Sequence, residues 1–197
     1  MKDWTGNKTS VSSTLGASNL SKKDRVENDY YATPPKALDP VYEYLNYDIP
    51  IWECCCGEGS LSKRLKELGY ELRESDIVKR DYHCEVKDFL FFNDEPWVGD
   101  ILTNPPYRYA KEFAEKSLEL LSEGRFLLLY LRVQFLESQK RRPLFDTQPP
   151  KEMLVYSKQT PQCARGGDFS KPTGNATMYC WFIWEKGFKG DTVIKWI

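Results

Sequence analysis

The sequence of 197 residues holds a single histidine, His83, and no Cys-x-x-Cys pair. Zinc sites of the Cys/His kind need spaced ligands, and Ser–His hydrolases need a histidine base, so neither class is expected and no metal is expected. Three of the six cysteines are consecutive, Cys54-Cys55-Cys56. Adjacent cysteines cannot supply the spaced staples of a secreted disulfide framework, which predicts a reduced, intracellular, cytoplasmic protein. Long hydrophobic runs are missing too. Apolar stretches such as Phe126–Leu131 stay under ten residues, too short to cross a bilayer. The opening residues Met1–Ser21 are polar, rich in Ser, Thr, Asn and Gly, and lack a charged-then-apolar leader pattern.

Charge of one sign is absent only in total: 28 Lys+Arg oppose 29 Asp+Glu. Residues 1–27 carry +2, residues 28–131 carry −8 and residues 132–197 carry +5. Basic ends around an acidic middle suggest that the ends meet a polyanion while the middle does something else; ordinary solvated faces give the same pattern. Hydrophobic residues make up 41% of the chain and aromatic residues 14%, which excludes a wholly disordered protein.

Residues 1–27 have no apolar periodicity and read as a flexible arm; residues 28–197 read as one domain. Leu38, Val41, Tyr42 and Leu45 sit at helical spacing within Ala37–Leu45. Ile49–Cys55 is a short apolar strand entering Gly57-Glu58-Gly59, and Ser60 opens a helix with Leu61, Leu65 and Leu68 on one face. Strands follow at Tyr70–Ser75, less clearly at His83–Val86, and at Gly99–Thr103 before Asn104-Pro105-Pro106-Tyr107. Ala110–Leu121 is a helix, and the continuous apolar run Phe126–Leu131 is a strand buried on both faces. Met153–Tyr156, Met178–Trp184 and Val193–Ile197 read as further strands. Strands alternating with helices predict an α/β fold with a mostly parallel sheet. Ligands in such sheets lie beyond the carboxyl ends of the strands, where the Gly57 turn, Asp76, Asp88-Phe89 and Asn104–Tyr107 would converge.

The strongest chemical signal is Asn104-Pro105-Pro106-Tyr107. The two prolines stiffen the turn and restrict the residues before them. A stiff turn can hold the Asn104 side-chain oxygen and the Pro105 carbonyl at a fixed separation. Two such acceptors can take both hydrogens of one planar NH2 group and localise a lone pair otherwise spread into a ring or carbonyl. Tyr107 offers a flat face for a planar substrate. A proline-rich turn with a packed tyrosine fits the same residues. Gly57 and Gly59, between strand and helix, allow a backbone to approach a ligand, but they are not the GxGxxG fingerprint and no Walker lysine follows. Asp76 ends a strand, where a carboxylate can hold ribose hydroxyls. Asp88 and Phe89 can meet an adenine amine and its ring face, though a surface acid and a core Phe are the ordinary reading.

The segments Asp29-Tyr-Tyr-Ala-Thr-Pro-Pro35, Glu53-Cys-Cys-Cys-Gly-Glu-Gly59, Asp76, Asp88-Phe89 and Asn104–Tyr107, in this order, resemble the S-adenosylmethionine-dependent amino-methyltransferases. The resemblance is greatest to the small phage- and prophage-type DNA adenine-N6 methyltransferases. Trp4-Thr-Gly-Asn7, Leu15-Gly-Ala-Ser-Asn19 and Trp181–Gly187 also look like that group. What the resemblance implies is a Rossmann-like class I methyltransferase sheet with an antiparallel C-terminal hairpin. It implies S-adenosyl-L-methionine as cofactor, with Glu53, Gly57 and Gly59 around its methionine part. Tyr31, Thr33 and Pro34 would close over it, Asp76 would take the ribose, and Asp88 and Phe89 the adenine. Asn104, Pro105, Pro106 and Tyr107 would be catalytic. The Cys54–Cys56 run departs from the more usual Pro-Ala-Cys-like turn.

A base stacked in a duplex cannot reach such a site, so DNA as partner implies base flipping. Lys140, Arg141, Arg142, Arg132 and Arg165 are candidate phosphate contacts, or else solubilising charge. A recognition region around 134–175 leaves little room to read sequence. The same motif is compatible with RNA adenine, RNA guanine N2 or a glutamine side chain, and the cysteine run with an inactive nucleic-acid-binding relic.

Overall fold

A computed structural model describes residues 30–92, 96–165, 167–170 and 177–197. The arm 1–27, with its Trp4 and Leu15 segments, lies outside the described residues. The chain forms strands β1 (Tyr31–Ala32), β2 (Ile51–Glu53), β3 (Leu72–Asp76), β4 (Glu85–Val86), β5 (Asp100–Thr103), β6 (Phe126–Arg132), β7 (Glu152–Val155), β8 (Ala164–Arg165), β9 (Tyr179–Glu185) and β10 (Val193–Trp196). Its α-helices are α1 (Ser60–Glu67), α2 (Ala110–Leu120) and α3 (Arg142–Thr147). The helix expected at Ala37–Leu45 is a 3-10 helix, Pro35–Tyr44, with Pro40 inside it. Proline removes an amide donor and clashes with a regular α turn, so the tighter helix is the physical outcome.

Eight strands form one sheet in the order β10-β7-β9-β6-β5-β2-β3-β4. From β4 to β6 the neighbours are parallel; β9 runs antiparallel between β6 and β7, and β10 joins β7 in parallel. The expected antiparallel C-terminal element is the pair β7 and β9, consecutive in this sheet, with β9 inserted between β6 and β7. The chain order reverses between β2 and β5, and that switch point is where the ends of the two strands open a crevice.

The alternation along β6 and β9 divides the core. Leu127, Leu129, Leu131, Phe182 and Trp184 face one layer, with Phe113, Ala114 and Leu118 of α2. Leu128, Tyr130, Trp181 and Ile183 face the other, with Leu38, Val41 and the α1 residues Leu61 and Leu65. Both faces of these strands are therefore covered, which is why their sequences are apolar without a period of two. The large indoles bury without losing their donors: Trp52 Nε1 reaches Ser75 Oγ at 2.9 Å, Trp181 Nε1 the Ala37 carbonyl at 2.7 Å and Trp184 Nε1 the Gln148 carbonyl at 2.9 Å. No helix among the described residues is long and apolar enough to cross a membrane.

Outside this sheet, β1 and β8 pair antiparallel, with Tyr31 opposite Arg165 and Ala32 opposite Ala164. Two residues per strand give no periodicity, and the sequence reading missed the pair. It ties the start of the described chain, whose Tyr31 and Ala32 line the cavity, to the segment before β9.

Candidate active site

β2 delivers Glu53 to the crevice. Its carboxyl is 3% exposed, and the Ser62 hydroxyl of α1 donates to its Oε2. Burial pushes its pKa up to about 8, against the lowering effect of the Ser62 bond and with help from the nearby Glu74 and Asp76. A buried carboxyl in that state is a receptor for positive charge: a cation beside it would favour the ionised form.

The chain then turns through the three cysteines. The Cys56 amide donates to the Ser75 carbonyl at 3.0 Å, and the Gly57 amide to Asp76 Oδ2 at 2.9 Å. Asp76 Oδ1 accepts from Val78 N at 2.9 Å, so its carboxylate clamps two loops and keeps spare lone pairs. Burial drives the Cys55 and Cys56 thiols far up, which keeps them neutral. Gly57 has φ +56°, and a Cβ there would stand 2.4 Å from the Tyr30 ring; one on Gly59 would stand 2.5 Å from Tyr82. The glycines make room for the protein's own tyrosines, and neither lines the cavity, whose wall here is Cys54–Cys56 and Ser60.

The cavity measures about 730 Å³, within the range of small-molecule and cofactor sites. Glu53, Asp76, Asp88 and Phe89 line it, as does every residue from Asn104 to Tyr107. Asp88 Oδ1 caps the short helix after it by accepting from Leu90 N at 3.0 Å. Phe89 itself is a core residue, 2% exposed, stacked on Phe113 and edge-on to Trp52. Ile77, 58% exposed, and Phe91, 82% exposed, also line the cavity with apolar surface, and sequence reasoning missed both. The signal was available in Ile77, an apolar residue directly after the acid that ends β3. Pro34 does not line the cavity; it is buried and caps the 3-10 helix, its carbonyl accepting from Ala37 N at 2.9 Å.

Asn104 follows β5, whose four residues are all buried. Its Nδ2 donates to the Tyr31 carbonyl at 3.0 Å and to Thr33 Oγ1 at 2.8 Å, with Cys163 Sγ at 3.6 Å. Oδ1, at the other end of the same amide, is buried and has no partner among the described residues. Tyr107 stacks on Tyr31 at 5.9 Å and 28°, and the Arg132 guanidinium stands 4.6 Å from its ring centre. Arg132 has a buried Nε with no partner and no ion pair among the described residues.

The remaining basic candidates separate. Lys140 is exposed. Arg142 pairs with Asp146 at 2.6 Å. Half-buried Arg141 commits its guanidinium to the chain: Nε donates to the Phe135 carbonyl at 2.6 Å and Nη2 to the carbonyls of Gln134 and Glu137. Arg165 is on β8, and its side chain lies outside the described residues.

No family model matches the sequence, and no curated protein matches it. Solved structures do match. A protein named as a class I S-adenosylmethionine-dependent methyltransferase from Listeria monocytogenes superimposes with a TM-score of 0.62 at 9% identity, over 89% of this chain and 68% of that one. A protein named as an RNA methyltransferase from Pyrococcus horikoshii gives 0.56 at 15% identity, over 91% and 99%. A modification subunit of a type I restriction enzyme from Vibrio vulnificus gives 0.57 at 10% identity, over 96% of this chain but 50% of that one. The fold is therefore that of the class I S-adenosylmethionine-dependent methyltransferases; at these identities the likeness is one of fold.

Proposed function

We propose that the protein transfers a methyl group from S-adenosyl-L-methionine to the N6 amine of adenine in DNA. The observation that carries this reading is the Asn104 amide, bound at its nitrogen and unpartnered at its buried oxygen, in the wall of the cavity. A buried acceptor without a donor costs about 1–3 kcal/mol, which an incoming N–H would recover. The Pro105 carbonyl, one residue on, is the second acceptor of the pair.

The wall suits the cofactor. Glu53 meets its positive charge, Asp76 a ribose hydroxyl, and Asp88 with the apolar Ile77 and Phe91 the adenine. When bound, the cofactor supplies an activated methyl on a sulfonium. The protein's part is to hold the amine in line and to stabilise the charge that develops on nitrogen through Asn104 and Pro105. No histidine base is required, since a methylated ammonium loses its proton readily to these acceptors or to water. Pro106 stiffens the corner, and Tyr107 with Tyr31 forms its aromatic side. Tyr31 and Thr33 serve this reading by gripping Asn104.

Adenine in a duplex must be flipped out to enter, at a cost of a few kcal/mol. Arg132, beside Tyr107, and the exposed Lys140 are the described cations best placed for phosphate, and residues 134–175 are the recognition region. Likeness to a restriction-modification subunit supports DNA. Likeness to a protein named as an RNA methyltransferase makes RNA adenine the second reading. The test is modified-base sequencing of DNA and RNA from cells expressing the wild type or Asn104→Ala. N6-methyladenine in DNA that depends on Asn104 is expected. Methylation confined to RNA would move the substrate, and none in either would overturn amine methylation of nucleic acid.

A further inference from the structure

Asn104 is directed by chain far from it in sequence. Its two amide hydrogens have two good acceptors, the Tyr31 carbonyl and Thr33 Oγ1. A carbonyl can only accept, so the NH2 end of the amide must face β1 and the oxygen must face away. Thr33 Oγ1, once it accepts from Asn104, has its own hydrogen left to donate, and Cys163 Sγ lies 3.8 Å away. The Tyr107 hydroxyl donates to the same sulfur at 3.5 Å. Cys163 is 4% exposed and directly precedes β8, the partner of β1. One sulfur thus stands at the junction of the strap, the amide and the tyrosine.

We propose that Cys163 is a positioning residue: held by the β1–β8 pair, its sulfur takes the Thr33 and Tyr107 hydroxyls and so fixes the orientation of the Asn104 amide. Direction matters because an amide flipped by 180° would offer NH2 to the substrate amine, two donors facing each other. The chain of bonds runs Asn104 Nδ2–H to Thr33 Oγ1, Thr33 O–H to Cys163 Sγ, and Tyr107 O–H to the same sulfur. Burial raises the Cys163 pKa, so the sulfur remains a neutral thiol with lone pairs to accept. The strap also explains why Thr33 is 3% exposed although it is polar.

This inference rests on the amine-methylation reading, and the experiment separates the two. Methyl transfer from S-adenosylmethionine to unmethylated genomic DNA is measured for the wild type, Asn104→Ala, Cys163→Val, Cys163→Ser and Thr33→Val. Cys163→Val and Thr33→Val are expected to lower kcat about tenfold with KM for both ligands within about twofold, the loss of an orienting hydrogen bond rather than of binding. Cys163→Ser, which keeps a donor and acceptor, is expected to stay within about threefold of wild type. Wild-type kcat in both the Cys163→Val and Thr33→Val proteins would overturn the inference while leaving the reading intact, and so would a Ser variant as poor as Val. A wild type that transfers nothing would overturn the reading. The strap is then judged by the Asn104 side-chain amide resonances: slow hydrogen exchange in the wild type that becomes fast in Thr33→Val and Cys163→Val is expected, and unchanged exchange would overturn it. The same measurement serves if a variant proves too unstable to assay.

Discussion

The Asn104 side-chain nitrogen lies 3.0 Å from the carbonyl oxygen of Tyr31, a residue 73 positions earlier in the chain. The bond explains how a two-residue strand can matter to a site built on the main sheet. It orients the amide in one sense only: hydrogens toward the strap, and the oxygen, buried and without a partner among the described residues, away from it.

Removing that oxygen is the first test. Asn104→Ala should leave cofactor affinity within about twofold and lower kcat about 100-fold or more, the scale of losing one preorganised polar group. Isothermal titration with S-adenosylmethionine and single-turnover methyl transfer check the two halves separately. Near-normal turnover would remove Asn104 from the chemistry.

Glu53 yields a pH dependence. Its pKa rises from 4.5 to about 8 on folding. Below 4.5 both states hold the proton, so pH has no effect through this group. Between about 4.5 and about 8 the unfolded chain releases it while the folded one retains it, so folding stability falls by up to about 1.4 kcal/mol per pH unit through this group. Glu53→Gln removes the dependence and still hydrogen-bonds Ser62. The variant should gain on the wild type steadily in melting temperature from pH 5 to pH 8, measured without ligand. A constant difference over that range would mean the carboxyl is already ionised.

Much of the architecture is readable from the sequence, for reasons that mark where reading stops. Phe126–Leu131 announces a doubly covered strand because six consecutive apolar residues suit no half-exposed element. Asp76 and Asn104 are readable because one ends its strand and the other directly follows its strand, and strand ends in parallel sheets share one rim. Gly57 and Gly59 mislead because a missing Cβ shows that something comes close but not what; the visitors are Tyr30 and Tyr82. Phe89 and Phe91 look alike in sequence and both line the cavity, and only the turn of the short helix buries one in the core and leaves the other exposed. Cys163 was invisible because its partners lie 130, 59 and 56 residues away.

The Tyr30–Gly57 contact can be measured by a double-mutant cycle. Gly57→Ala carries two penalties: a positive φ that costs an L-residue about 1–2 kcal/mol, and a Cβ 2.4 Å from the Tyr30 ring. Tyr30→Ala removes the second but not the first. In urea unfolding, the double variant should therefore be less destabilised than the sum of the singles, by about 0.5 kcal/mol or more. Strict additivity would place the ring elsewhere in solution.

Arg141 and Lys140 are neighbours with opposite expected behaviour. The Arg141 guanidinium donates to the carbonyls of Gln134, Phe135 and Glu137, closing the loop that follows β6. Arg141→Ala leaves those carbonyls to find water and should cost about 1–2 kcal/mol of stability, while the salt dependence of DNA binding stays unchanged. Lys140 is exposed, and its side chain closes no loop. Lys140→Ala should leave the melting temperature unchanged and reduce the slope of log K against log salt by about one, as one lost phosphate contact would. If Arg141→Ala flattened the slope instead, without loss of stability, the guanidinium would be a phosphate ligand and the loop would be held by other bonds. If neither substitution moved the slope, DNA would lie on another face, and Arg132 beside Tyr107 would be the next residue to change.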